Sequence, residues 1–125
     1  MAGAAIHPSA DIHPTAIVDP SARIGAHTAM AGCSAIAGSA TIGRDCLVGG
    51  GAGVLGHLEV CDRVVDTAMS LVTHSIREPG EYSSGTPLRD NRSWRRTAAR
   101  FKQLAARARK VAAGDRDASD KKDPQ

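Results

Sequence analysis

The stretch that decides the fold is AGCSAIAGSATIGRDCLVGGGAGVLGHLEV, residues 31–60, in which an aliphatic side chain returns at every sixth position. A six-residue period fits neither the 3.6-residue turn of an α-helix nor the alternation of a simple strand, but it is typical of a parallel β-helix. The period runs through twelve positions, of which eleven are Ile, Val or Met: Ile6, Ile12, Val18, Ile24, Met30, Ile36, Ile42, Val48, Val54, Val60, Asp66 and Val72. Each hexad predicts one short strand and a turn. Twelve hexads therefore predict four coils, stacked about 4.8 Å apart.

Turn-forming residues agree with this period. His7-Pro8, His13-Pro14 and Asp19-Pro20, and later glycines, follow the aliphatic position by one or two residues, where the corners of a prism need special backbone angles. His7 and His13 repeat in identical corners, so we expect them to be structural. Asp66 breaks the pattern, and a local bulge is expected to turn it outward because a buried charge is costly.

Composition favours a thin repetitive structure, since Trp94, Phe101 and Tyr82 are the only aromatic residues in a chain of 125. The N-terminus lacks the basic start and apolar run of a signal peptide, and no segment approaches the ~20 apolar residues of a membrane span. A cytoplasmic protein is therefore expected. The three cysteines (33, 46 and 61) lack metal-ligand spacing and are expected to be small buried thiols, with no metal or cofactor.

Positive charge is concentrated late in the chain. Residues 86–113 carry nine basic and one acidic side chain, whereas residues 1–85 carry four basic and eight acidic ones. The late segment predicts an amphipathic helix over 93–113, with Ser93 as N-cap, a basic face and an apolar stripe that needs a partner. The predicted organisation is a β-helix over 1–77, a loop over 78–92, this helix, and a disordered tail over 114–125. We expect the apolar stripe to pack against other copies of the chain.

Several motifs resemble one enzyme family. IHPSADIHPTAIVDPSARIG, AGCSAIAGSATIGRDCLVGG, GHLEVCDRV and EPGEYSSGTPLRDNRSWRRTAA are similar to the C-terminal part of the UDP-3-O-(3-hydroxyacyl)glucosamine N-acyltransferases of lipid A biosynthesis. The resemblance implies a left-handed β-helix and a homotrimer with active sites between subunits. It implies transfer of a 3-hydroxyacyl group from acyl carrier protein to the 2-amino group of UDP-3-O-acylglucosamine, without metal or cofactor.

The same resemblance implies site residues. His57, in the Gly-His motif, corresponds to the family's secondary histidine, and Gly38 corresponds to a backbone donor to the oxyanion. Leu71 falls where the family limits acyl-chain length, and Gly56 and His74 fall beside the pantetheine arm. Arg95, Arg96 and Arg100 of the basic helix are expected to contact the acidic carrier protein, with a merely solvated face as the alternative. A lone basic helix without interleaved aromatic residues is a weak signal for nucleic acid, which is not expected.

One family residue is absent from this pattern. The position of the general-base histidine, eight residues before Thr28, holds Pro20. His27 is a weaker candidate for a substitute base, reached across a subunit boundary. The motifs also suggest an internally shortened β-helix without the family's sugar-binding domain. The alternative prediction is a catalytically inactive trimeric scaffold that binds acyl carrier protein or a full-length relative.

Overall fold

The computed structural model describes residues 3–121, with side chains described through residue 114. The chain divides after Thr86 into two compact units. The first contains thirteen short strands: β1 (Ala5–Ile6), β2 (Asp11–Ile12), β3 (Ile17–Val18), β4 (Arg23–Ile24), β5 (Ala29–Met30), β6 (Ala35–Ile36), β7 (Thr41–Ile42), β8 (Leu47–Val48), β9 (Gly53–Val54), β10 (Glu59–Val60), β11 (Val64–Asp66), β12 (Leu71–Val72) and β13 (Gly80–Tyr82). The second contains the helix α1 (Asn91–Lys121).

The strands form three parallel sheets, which are the faces of a prism. Sheet A has the order β1-β4-β7-β10, sheet B the order β2-β5-β8-β11-β13, and sheet C the order β3-β6-β9-β12. From β1 to β9 each strand pairs with the strand 18 residues further on, as in the pairs Ile6↔Ile24 and Ile24↔Ile42. Three hexads therefore make one coil. The predicted short left-handed parallel β-helix of about four coils is confirmed.

In β1 to β12 the last residue of each strand points into the prism. From the second coil onward these aliphatic side chains are at most 7% exposed, and the small residues four positions later pack beside them. Full burial of one such side chain, for example Ile36, contributes roughly 1.5–3 kcal/mol. In the first coil the interior is less covered, and Ile6 is 42% exposed.

The corners use a left-handed backbone conformation that also recurs every six residues. The φ angles lie between 54° and 66° at Ser21, His27, Cys33, Ser39, Asp45, Gly51, His57, Arg63 and Met69. At the first of these corners the Ala22 N–H donates to the Asp19 carbonyl across Pro20 and Ser21, which is a type II turn. The earlier His-Pro corners have the same backbone bond and add one to the histidine ring. His7 Nδ1 accepts the Ser9 N–H, and His13 Nδ1 accepts the Thr15 N–H. Both histidines therefore have the structural role predicted for them.

The expected outward position of Asp66 is wrong. Its Cα pairs in register with Val48 and its side chain is only 3% exposed, so no bulge removes it from the interior. The 18-residue register of the ladder fixes which face each residue takes, and this constraint outweighs the cost of one buried carboxyl group. Burial raises the pKa of Asp66 from 3.8 to about 6.

The coil period shortens after β12. The predicted loop over 78–92 contains the strand β13. Ile76 forms a bridge to Val60, 16 residues earlier, and Tyr82 pairs with Asp66 at the same separation. Ile76 thereby takes the interior place that the six-residue frame would give to Glu78, which is exposed. Strand β13 is the fifth strand of sheet B and covers the end of that sheet.

The helix differs from its predicted bounds at both ends. It begins at Asn91, and Asp90 is its N-cap, because the Asp90 carboxylate accepts the backbone N–H of Ser93 at 3.1 Å. Ser93 is therefore the donor to the cap, not the cap itself. The helix continues past Gly114 to Lys121, since one interior glycine costs only about 1 kcal/mol among good helix formers. Of the predicted disordered tail, residues 114–121 are helical, and 122–125 lie outside the described residues. No helix in the described part of the chain is both long and apolar enough to span a membrane.

Candidate functional site

Several of the predicted site residues lie at one corner of the prism, where sheet C leads into sheet A. We call it the C–A corner; in successive coils it contains Pro20 and Ser21, Gly38 and Ser39, Gly56 and His57, and His74 and Ser75. Hydrogen bonds stack the coils there: the Pro20 carbonyl accepts the Ser39 N–H at 3.4 Å, and the Gly38 carbonyl accepts the His57 N–H at 3.0 Å. The structure therefore brings Pro20, Gly38, Gly56, His57 and His74 to a single edge of the molecule.

Glycine allows the backbones of this corner to stack closely. A Cβ added at Gly56 would lie 3.1 Å from the Gly38 carbonyl oxygen, and one added at Gly38 would lie 3.4 Å from that of Pro20. Within residues 3–121 no hydrogen bond uses the Gly38 N–H, whereas its carbonyl is engaged by His57. Gly38 is also partly exposed. This N–H is accordingly a free backbone donor at the corner.

His57 is exposed and lies in the left-handed backbone region, with φ of 63°. Histidine is one of the non-glycine residues that adopt this conformation more often than most. His27 has the same turn position but lies where sheet A leads into sheet B, and its N–H donates to Ser9 Oγ at 2.9 Å. The two histidines therefore occupy different corners of one chain, as the hexad count predicts. A role for His27 as substitute base stays a prediction.

Pro20 is exposed in the same column as Gly38, three coils before His74. Its ring carries no atom that can accept a proton. The corner thus has a free backbone donor and a histidine but no second imidazole at the position where the family has its base.

Leu71 belongs to an apolar column that sequence reasoning missed. The outward residues of sheet C are paired in register and are all apolar or glycine: Ile17, Ala35, Gly53 and Leu71. Ile17 is 59% and Leu71 49% exposed, and a Cβ added at Gly53 would meet Leu71 Cδ1 at 3.4 Å. The corresponding residues of sheet A include Arg23, Thr41 and Glu59. The outward residue of each strand lies one position before the inward aliphatic residue, and residues of one sheet recur every 18 positions. Grouping these outward residues by sheet would have shown the contrast from the sequence.

His74 lies at the end of the prism. It is exposed, and its Nδ1 hydrogen bonds to Thr73 Oγ1 at 2.8 Å. His74 and Leu71 both line an open cavity of about 490 Å³, together with Asp66, Ser70, Val72, Thr73, Ser75, Ile76, Arg77, Glu78, Tyr82, Ser83 and Ser84. The two residues expected beside the acyl chain and the pantetheine arm therefore share one cavity.

The basic residues belong to the second unit. Arg95, Arg96 and Arg100 lie on exposed positions of α1, and Arg96 and Arg100 line a hollow of about 350 Å³ with Arg89, Asp90, Ser93 and Thr97. Their contact with an acidic carrier protein stays a prediction.

The cysteines are not uniformly buried, in contrast to the expectation. Cys46 is buried, and burial raises the pKa of its thiol, but Cys33 is exposed at a left-handed corner. Among residues 3–121 there is no group of three or more His, Cys, Asp or Glu side chains suited to a metal ion.

Comparison with known proteins gives partial relatives. No family model matches the chain. It is 54% identical over 68 residues to the UDP-3-O-acylglucosamine N-acyltransferase of Hahella chejuensis, covering 54% of this chain and 20% of the relative. It is 68% identical over 55 residues to the enzyme of the same name from Xanthomonas campestris pv. campestris, covering 44% of this chain and 16% of that relative. The chain thus spans a fifth or less of the length of these curated relatives.

A solved structure supports the fold. Serine acetyltransferase isoform 3 from Entamoeba histolytica, in complex with cysteine, aligns with a TM-score of 0.53 and 25% identity, covering 71% of this chain and 39% of that one. The curated relatives confirm the resemblance that the motifs predict. Over about half of its length, this chain is similar to the UDP-3-O-acylglucosamine N-acyltransferases.

Proposed function

We propose that this chain is an N-acyltransferase of lipid A biosynthesis. It transfers a 3-hydroxyacyl group from acyl carrier protein to the 2-amino group of UDP-3-O-acylglucosamine, in the cytoplasm and as a homotrimer with sites between subunits. The observation that carries the proposal is the identity of 54% and 68% to enzymes of that name over about half of the chain. The C–A corner supports it, because it gathers the residues that the resemblance assigns to the site.

The reaction needs two functions from the protein. The amine nitrogen forms a bond to the thioester carbon, the carbon–sulfur bond breaks, the carrier thiol leaves, and a base takes a proton from the amine. The developing oxyanion needs a hydrogen-bond donor. In the proposed site the free Gly38 N–H is that donor, and His57 assists at the oxyanion or positions the substrate. The position of the base holds Pro20, so no residue of the C–A corner is assigned that role.

The apolar column of sheet C is the proposed path of the acyl chain. Ile17 and Leu71 are exposed at its two ends, and Ala35 and Gly53 keep its middle shallow. Leu71 would then meet the tail of the acyl chain, while Gly56 and His74 contact the pantetheine arm.

Purified chain should convert 3-hydroxyacyl carrier protein and UDP-3-O-acylglucosamine to the N-acylated product, detected by mass spectrometry. His57→Asn should lower the rate at least tenfold while preserving the fold, because asparagine also adopts a left-handed backbone. Pro20→His should raise the rate, since it returns an imidazole to the base position. The absence of product from both the natural chain and Pro20→His would contradict the proposal.

Pro20 also favours a second candidate, a catalytically empty trimeric scaffold that binds acyl carrier protein through α1 and the pantetheine groove. Binding should then weaken as salt is raised and in the double variant Arg95→Glu/Arg96→Glu, because both changes reduce attraction to an acidic partner. The Glu59→Gln variant on sheet A is a matched control that leaves the helix unaltered. Salt-independent binding, or none, would contradict this candidate.

A further inference from the structure

Asp66 is the ionisable member of the inward column that otherwise holds Ile, Val and Met. It is 3% exposed, and neither carboxyl oxygen has a hydrogen-bond partner among residues 3–121. Val48 lies beneath it in sheet B, and Tyr82 of β13 pairs above it. A carboxylate without a partner in such a place is strongly disfavoured relative to the neutral acid.

The segment above Asp66, residues 77–84 including β13, is called the cap. Its backbone hydrogen bonds go to the coil below: Thr67 N–H donates to the Tyr82 carbonyl at 3.0 Å, Gly80 N–H to the Arg63 carbonyl at 3.2 Å, and Ser84 N–H to Ser70 Oγ at 3.0 Å. The Thr67 hydroxyl adds bonds to the Tyr82 carbonyl and the Ser83 hydroxyl, and β13 pairs with β11 over three residues. All side chains of the cap are exposed. Exposed side chains on an edge strand are typical of segments that open locally before the whole chain unfolds.

No charged neighbour compensates Asp66. The ionisable side chains that line the same end cavity are His74, Arg77, Glu78 and Tyr82, and β13 adds the exposed Glu81. None is within hydrogen-bond distance of the Asp66 oxygens, and the Tyr82 hydroxyl donates instead to the Glu78 carbonyl at 2.8 Å. Strand β8 on the other side contributes Leu47 and Val48, which do not ionise.

We propose that the cap is a proton-dependent latch, which closes over the neutral carboxyl group of Asp66 and opens when that group ionises. Opening exposes the carboxylate to water, which removes the cost of burying it. Desolvation in the closed form raises the pKa of Asp66 from its ordinary value of 3.8 to about 6, as expected if closure favours the neutral carboxyl group. The closed cap is therefore most stable below about pH 4, loses stability as pH rises to about 6, and changes little above that.

The latch adjoins the proposed acyl site. Ser84 Oγ of the cap accepts the Leu71 N–H at 2.8 Å, so opening removes one hydrogen bond from the strand that carries Leu71, which stays paired with β9. This consequence for acyl binding rests on the proposed function. The latch itself does not, because cap opening is measured without substrate.

Amide hydrogen exchange of the full chain, followed by mass spectrometry from pH 4 to 8 and corrected for intrinsic rates, tests the latch. Protection of residues 80–84 should fall by about 100-fold between pH 4 and 6.5 and then level off, since a pKa difference of about two units sets that ratio. In Asp66→Asn, and in Asp66→Val if the amide variant folds poorly, protection of the cap should not change with pH.

Asp11→Asn is the matched control, since Asp11 is an exposed carboxylate on β2 of the same sheet. It should keep the profile of the natural chain. Protection of the cap that is independent of pH in the natural chain, or an unchanged pH dependence in both Asp66 variants, would overturn the proposal. Loss of acyl transfer with an intact exchange profile would count against the proposed function alone.

Discussion

The backbone of His57 shows how one residue serves the turn and the candidate site together. With φ of 63° it belongs to the left-handed series that recurs at every corner from Ser21 to Met69. Most L-residues lose about 1–2 kcal/mol in this conformation, asparagine and histidine less, and glycine almost nothing. The residue type at position 57 is therefore restricted by the turn before any chemistry is considered.

This restriction predicts a difference between two variants. His57→Val should have a free energy of unfolding about 1–2 kcal/mol lower than His57→Asn, because a β-branched side chain is the least compatible with the left-handed region. Urea unfolding monitored by circular dichroism measures it. The same pair of substitutions at His74, which lies outside the left-handed series, should show no such gap. Equal stability of the two position-57 variants would refute the prediction.

Asp66 has an effect on global stability as well as on the cap. Its pKa of about 6 in the folded chain lies above the ordinary 3.8, so the unfolded chain releases this proton first and stability falls as pH rises between these values. The loss is fully present at pH 7 and amounts to at most about 3 kcal/mol. Asp66→Val, which restores the usual residue of the column, should regain stability at pH 7 and much less at pH 4. A thermal melting series over this pH range measures it, and a gain of the same size at both pH values would contradict it.

Residue-scale sequence reading succeeded where the period alone decides. It gave the inward aliphatic column, the structural His7 and His13, and the separate corners of His27 and His57. It failed for Asp66 because residue type was weighed above register, and register is fixed cooperatively by the whole ladder. It also missed the sheet C column, which becomes visible only when residues are grouped by coil.

At the scale of elements, the sequence predicted twelve strands from one repeat and missed β13. The reason is a two-residue shortening of the coil: Ile76 and Tyr82 pair 16 residues back, so the cap leaves the six-residue frame that identified every other strand. The helix was recognised by its amphipathic pattern, but its ends depend on capping and on propagation through Gly114. Amino-acid composition alone does not predict capping or helix propagation through a glycine.

The N-terminus of α1 yields a prediction about this element alone. The Ser93 hydrogen bonds lower the pKa of Asp90, so its capping contribution is present above pH 3.8 and is lost as pH falls through the lowered value. Asp90→Ala should reduce the helical circular dichroism signal at neutral pH. Asp90→Asn should retain that signal and lose its dependence on acid pH, because an amide oxygen caps without titrating. An unchanged signal in Asp90→Ala would contradict the assignment of the cap.

At the scale of the whole molecule, each of the two units exposes an apolar surface. Sheet C presents the Ile17–Leu71 column, and α1 presents Phe101, Leu104 and Val111, which are 77%, 58% and 65% exposed. Surfaces of this kind on a chain of 12.9 kDa, with few aromatic residues in its core, favour association with further copies of the chain. A closed ring of three copies would bury each surface against its equivalents or its neighbours.

The proposed homotrimer would cover these surfaces, and its mass tests it. Light scattering after size exclusion should give three times the 12.9 kDa chain mass. Phe101→Asp/Leu104→Asp should shift the particle toward the monomer, because two carboxylates on the apolar stripe must then be desolvated at each contact. The double variant Lys102→Asp/Arg109→Asp places the same two groups on the basic face of the same helix and should stay trimeric. A natural chain that is monomeric at micromolar concentration would refute the trimer. If both double variants dissociate alike, the loss of the trimer is due to a less stable helix and not to the apolar stripe of α1.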